Sequence, residues 1–148
     1  MTILLLVLLI IVIVGVVGGV IALTIVFVTG RVKQSSARAV EATFAPGEVL
    51  RSDPMANFFG WESKGGRQIR GNGALVLTGQ RLWFRRAGAA EPLEIPLSAV
   101  TGVDIVRSHN GKSVRRDLLR VAVQGDSVAW WVREPAAWEG HLRSLLPR

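Results

Sequence analysis

With 148 residues, a net charge of +7 and no cysteine, the chain has room for one ordinary domain and an appendage. The missing cysteines exclude a disulfide framework, thiolate zinc or iron–sulfur centres and a thiol nucleophile, and they agree with a reducing compartment. Arginine outnumbers lysine fifteen to three and tyrosine is absent, which reads first as genomic base composition; the 110 residues after Arg38 carry fifteen basic and eleven acidic side chains, a moderate +4.

Ile3 to Val28 contains neither charge nor proline. As an α-helix these twenty-six residues extend roughly 39 Å, enough to cross a 30 Å hydrocarbon core with tilt. A cleaved signal peptide fits poorly, because no basic region precedes Ile3, the apolar run is too long and no Ala-x-Ala site precedes Arg31. The expected localisation is a single-pass cell-membrane protein. Arg31, Lys33 and Arg38 follow the apolar run, whereas only Met1 and Thr2 precede it, so the positive-inside rule predicts an outside N-terminus and a cytoplasmic C-terminal domain.

Within the span, Gly15 and Gly19 form a GxxxG pair extended by Gly18 and Ala22, a face on which two helices can approach closely; it makes a homodimer one expected partner beside the bilayer. Small residues are also simply common in membrane helices. Residues 1–30 are therefore assigned to a transmembrane helix. The polar stretch 31–46 suits a juxtamembrane linker or a continuation of the helix, with cations in reach of anionic headgroups.

The remaining residues, 47–148, are predicted to form a β domain. Met55, Phe58 and Phe59 supply apolar bulk at its start, and Lys64 to Asn72, with three glycines and three cations, reads as an exposed loop. From Gly73 the alternation sharpens. Leu75 and Leu77 share one face, a turn follows at Thr78-Gly79-Gln80, and Leu82 and Phe84 point inward on the return while Arg81, Trp83 and Arg85 take the other side. Leu93, Ile95 and Leu97 alternate next, with Pro96 marking an edge or a strand end because it cannot donate to a ladder. Val103 and Ile105 lead to a favourable Asn110-Gly111 turn. Leu119, Val121 and Val123, a turn at Gly125-Asp126, and Val128, Trp130 and Val132 complete six or seven strands. Pro135 then suits the first position of a helix, and Trp138, Leu142, Leu145 and Leu146 make its apolar stripe, predicting a helix over 135–146 that caps the sheet. The expected fold is an N-terminal transmembrane helix followed by a mainly-β barrel or pair of sheets closed by one C-terminal helix.

Gly73, Leu75, Leu77, Thr78, Arg81, Leu82 and Phe84, then Ile95, Pro96, Leu97 and Val100, then Trp138, together resemble the GRAM and bacterial pleckstrin-homology-like domains, over roughly residues 47–146. In that family a G-x-L-x-L-T-x-x-R-L-x-F hairpin precedes an I-P-L-x-x-V strand, and a C-terminal helix caps an open end. The resemblance implies a small antiparallel barrel that binds a protein partner or, through basic residues of its first hairpin loop, anionic lipid headgroups.

Catalytic motifs do not form. Gly111-Lys112-Ser113 imitates the end of a P-loop, but Val106 stands where the first glycine is needed, and Gly71-x-Gly73 lacks the third glycine at Val76 of a dinucleotide fingerprint. His109 and His141 have no spaced partner for a metal site, and no Ser-His-Asp or paired-carboxylate set can be nominated. The expectation is a non-enzymatic protein without metal or cofactor. Basic clusters are the better candidates: Lys64, Arg67, Arg70, Arg81, Arg85 and Arg86 fall within twenty-three residues without an acid, and Arg107, Lys112, Arg115, Arg116 and Arg120 follow with Asp117 alone among them. If the loops share one end of the domain, Lys64, Arg67, Arg70, Arg85, Arg86, Lys112, Arg115 and Arg116 make a rim for anionic lipid or a protein partner, although solvated faces are the plainer reading. Trp83 and Trp131 are the aromatics most open to a stacking role, while membrane attachment argues against a nucleic-acid partner. The second functional expectation is a structural or assembly subunit that dimerises through its helix.

Overall fold

The computed structural model describes residues 2–147, with the side chain of Thr2 left out. Helix α1 (Thr2–Thr43) starts the chain, and its first part is long and apolar enough to span a membrane, with a mean hydropathy of 3.4 over eighteen residues. Its side chains from Ile3 to Val28 are exposed along their length. The chain divides into two compact units, up to Arg31 and from Val32 onward.

The second unit is one antiparallel sheet of seven strands: β1 (Val49–Trp61), β2 (Gly71–Thr78), β3 (Arg81–Arg86), β4 (Leu93–Pro96), β5 (Val100–His109), β6 (Lys112–Val123) and β7 (Asp126–Trp131). Their spatial order is β4-β3-β2-β1-β7-β6-β5, so β1 is central, and β4 and β5 are the free ends of an open sheet. Helix α2 (Pro135–Leu145) closes the chain, with Pro135 in the first turn. The register of the long strands shifts at several points, among them between Asp53 and Ala56, between Phe58 and Gly60 and between Val106 and Ser108.

Period-two alternation sends Ala56, Phe58, Leu75, Leu77, Leu82, Phe84, Leu119, Val121, Val128 and Trp130 to one concave face. Trp138 and Leu142 of α2 fill that face, with Leu145 and Leu146 packed beside them, as their spacing predicts. Phe58 stacks on Phe84 with ring centroids 5.3 Å apart, and Trp130 meets both rings at a tilt, with centroids within 6.0 Å.

Gly73 is demanded by close approach. A Cβ there would collide with the Arg85 carbonyl and lie 2.7 Å from the Arg86 Cα, so the first position of the hairpin admits no side chain. Thr78 is demanded by the next turn: its buried hydroxyl accepts from the Gln80 and Arg81 amides at 3.2 and 3.1 Å.

Three expectations change in detail. Trp83, a candidate exposed aromatic, is 2% exposed, because the last part of α1 covers the outer face of β2 and β3 and builds a second cluster of Phe44, Ala74, Val76 and Trp83. The β6–β7 turn centres on Gln124 and Gly125, both with positive φ, so that Asp126 already belongs to β7. Leu97 leaves the strand for a single 3-10 turn (Leu97–Ala99), yet stays buried.

Candidate functional site

Alternation also assigns residues to the outer face, and there the sheet is covered unevenly. The end of α1 shields Ala74, Val76 and Trp83. Across β1, β7 and β6 no element of the second unit lies on top among the described residues, and half-buried Phe59, Trp131 and Val114 bring apolar surface there around fully buried Leu118. They floor an open groove of about 460 Å³, bordered by Asn57, Asn72, Arg115 and Arg116. A sheet face that meets only water usually alternates to polar residues, and the aromatic side chains at half-buried positions here depart from that pattern.

Each wall has a local cause. Phe58 and Phe59 are adjacent on β1, so one must face outward when the other enters the core. The Arg116 guanidinium lies 5.1 Å from the Trp131 ring centroid, a cation–π contact that joins the cationic border to the aromatic floor. Asn57 Nδ2 donates to Asn72 Oδ1 at 2.6 Å, which joins the two amides that border the groove.

The β5–β6 hairpin that carries Val114, Arg115 and Arg116 is fastened at its tip. Asn110 and Gly111 both have positive φ, as the predicted tight turn requires. From that turn Asn110 Nδ2 donates to the Gly65 carbonyl at 2.8 Å, while buried His109 meets the Gly60 carbonyl through Nε2 at 2.9 Å. Gln68 ties the β1–β2 loop to itself, accepting from the Trp61 amide at 2.7 Å and donating to the Gly65 carbonyl at 2.8 Å. The loop is also bound to the start of β7, where Asp126 accepts from the Ser63 amide at 3.0 Å. Burial, the largest single influence on Asp126, pushes its carboxyl up, but hydrogen bonds from Ser63 Oγ and from the Ser127 and Ser63 amides outweigh it and hold the group below the ordinary 3.8.

The predicted basic residues therefore fall into three places. Lys64, Arg67 and Arg70 ride on the β1–β2 loop, and Lys112 adjoins the β5–β6 turn that contacts it, so these two loops do lie side by side. Arg115 and Arg116 border the apolar groove. Arg85 and Arg86 line a separate cleft with Ser35, Ser36 and Arg38. Gly15, Gly18 and Gly19 are exposed in the first unit, with nothing within 4 Å of a Cβ placed on any of them. No group of three metal-ligating side chains occurs among the described residues. Phe59, Val114, Leu118, Asn57 and Asn72 were not singled out as site residues from sequence; the Phe58-Phe59 doublet was the available signal, since a strand cannot bury both on one face.

No family model matches this chain, and no curated protein matches it in sequence. Among solved structures it is similar to a chain of the 8S snRNP assembly intermediate, with 12% identity, a TM-score of 0.51 and coverage of 70% of this chain and 88% of that one. It also aligns with the C-terminal domain of an unknown protein from Leishmania infantum, at 20% identity and a TM-score of 0.48, over 66% of this chain and 82% of the other. At such identities the first likeness speaks for the fold alone.

Proposed function

We propose that this chain is a single-pass membrane protein whose pleckstrin-homology-like domain is a non-enzymatic, cytoplasmic binding module that takes an acidic, apolar-containing segment of a partner protein. The observation that carries the reading is the outer-face groove, where Phe59, Trp131, Leu118 and Val114 lie beneath Arg115 and Arg116. Apolar floor, amide edge and cationic rim are the components with which a small site orients a peptide: the floor supplies burial, the amides match backbone groups, and the arginines select acidic side chains. Neither Arg115 nor Arg116 takes part in an ion pair among the described residues, so their charge is available to a partner. The apolar lining favours a chain segment with apolar side chains over a lipid headgroup, which offers charge and no apolar surface to such a floor. Cytoplasmic placement is supported by Arg31, Lys33 and Arg38 directly after the apolar stretch.

The test is selection from a random peptide library on the full chain in detergent. Enriched peptides are expected to combine acidic with aromatic or aliphatic residues and to bind with micromolar Kd, weakened at least tenfold by Trp131→Ala and by Arg116→Glu. Failure to enrich any peptide, or binding indifferent to both substitutions, would remove the reading. If the substitutions abolished attachment to anionic vesicles instead, a membrane surface would replace the peptide as the occupant.

A further inference from the structure

A second recess lies on the opposite part of the outer face, where the last turns of α1 meet the β3–β4 loop. Ser35, Ser36, Arg38 and Ala39 form one wall, and Arg85, Arg86 and the backbone of residues 87–90 form the other, enclosing about 520 Å³. Its chemistry differs from that of the peptide groove. The walls carry three guanidinium groups and two hydroxyls, and no carboxylate is among the lining residues.

The three arginines reach the cleft from different elements. Arg38 stands on α1 and is exposed, whereas Arg85 and Arg86 end β3 and are half-buried. None of them joins the six ion pairs found among the described residues. Arg85 Nε reaches the Ala89 carbonyl only at 3.5 Å, and Arg86 Nη1 donates to the Ala87 carbonyl at 3.3 Å. These bonds direct the two side chains along the loop and leave most of their donors free. Three like charges gathered without an acid repel one another and are favourable together only against an anion. The architecture holds them there, because Phe44 and Trp83 lock the helix end to β3 with ring centroids 5.3 Å apart.

We propose that this cleft binds the phosphate group of an anionic phospholipid. Planar guanidinium groups match phosphate oxygens in pairs, and the Ser35 and Ser36 hydroxyls add donors of the kind a phosphodiester accepts. The lipid is favoured over a soluble phosphate by tethering. Ser35 follows Val28 by seven residues, so at most about 25 Å of chain separates the cleft wall from the end of the apolar stretch, and with α1 inserted anionic headgroups are held at high local concentration. This inference rests on membrane insertion of α1 and not on the peptide-binding reading, whose groove shares no residue with the cleft.

The experiment titrates the full chain in a neutral detergent with dioleoylphosphatidylglycerol, dioleoylphosphatidylcholine and inorganic phosphate, following bound lipid by native mass spectrometry. The wild type should hold phosphatidylglycerol at least tenfold more tightly than phosphatidylcholine. Each arginine near an anionic lipid contributes about fivefold, so Arg38→Ala alone should cost about fivefold and the combination with Arg85→Gln and Arg86→Gln about a hundredfold. Arg107→Ala, outside both recesses, should change nothing. Arg38 is on an exposed helical surface, so unaltered thermal unfolding of Arg38→Ala separates loss of binding from loss of fold. Equal affinity for the two lipids, a triple variant that binds like wild type, or the same loss from Arg107→Ala overturns the proposal. Inorganic phosphate binding as tightly as phosphatidylglycerol overturns the lipid as occupant. Peptide binding measured on the same variants is expected to persist, so a failure here and a failure of the peptide groove are read separately.

Discussion

Phe44 meets Trp83 edge to face, with the ring planes 88° apart, and through that contact the last turn of α1 becomes part of the β domain. Buried area and the aromatic geometry both favour the arrangement. Phe44→Ala should therefore destabilise the domain by about 3 kcal/mol, the usual cost of removing a buried phenyl group. Thermal unfolding of the full chain in detergent, followed by near-ultraviolet circular dichroism, checks the value; an unchanged midpoint would show that the helix end is not anchored there.

Gly73 and Gly47 make opposite cases for glycine. A methyl group at Gly73 meets the backbone of β3, which cannot yield without opening the hairpin, so Gly73→Ala should cost about 3 kcal/mol. At Gly47 the space is open and the penalty comes from its φ of +87° alone, about 1 kcal/mol. Denaturant midpoints of the two variants should fall in that order.

The Asn110 amide ties two loops that are far apart in sequence. Asn110→Asp keeps a residue tolerant of positive φ but removes the donor to the Gly65 and Trp61 carbonyls. The expected loss is about 1 kcal/mol, accompanied by faster amide hydrogen exchange across residues 62–68. If exchange there stays at the wild-type rate, Gln68 and Asp126 hold the loop without Asn110.

Acid should loosen the same region. Because the folded Asp126 carboxyl lies below its ordinary 3.8, the stabilisation it contributes is complete above that value and is lost as pH falls through the folded pKa. Asp126→Asn should lower the melting temperature at neutral pH and flatten its dependence on pH below about 4. Parallel melting curves for variant and wild type between pH 2 and 7 would contradict this.

Much of the architecture is legible in the residues themselves. The uncharged run from Ile3 to Val28, the alternation of Leu75, Leu77, Leu82 and Phe84, the Asn110-Gly111 turn and the spacing of Trp138 and Leu142 each report a local periodicity, and each forms the expected element. What escapes is whatever depends on a second element arriving. Trp83 alternates as though facing water and is buried because α1 folds over it. Phe59 and Leu118 belong to a groove because β1, β6 and β7 lie together, and Ser35, Arg38 and Arg85 share a cleft although fifty residues of chain separate the two walls. Composition identified the arginines; only tertiary structure sorts them between two recesses of different chemistry.

The sheet's two free ends are built against pairing with another copy of the protein. On one side β4 is only four residues long, ends in Pro96 and carries exposed Glu94; on the other, Arg143 of α2 donates to the Val103 carbonyl of β5 at 3.0 Å. A short, proline-ended strand and a border occupied by an arginine are poor templates for a foreign strand. Edge-to-edge pairing between copies of the sheet is thus disfavoured even at high local concentration.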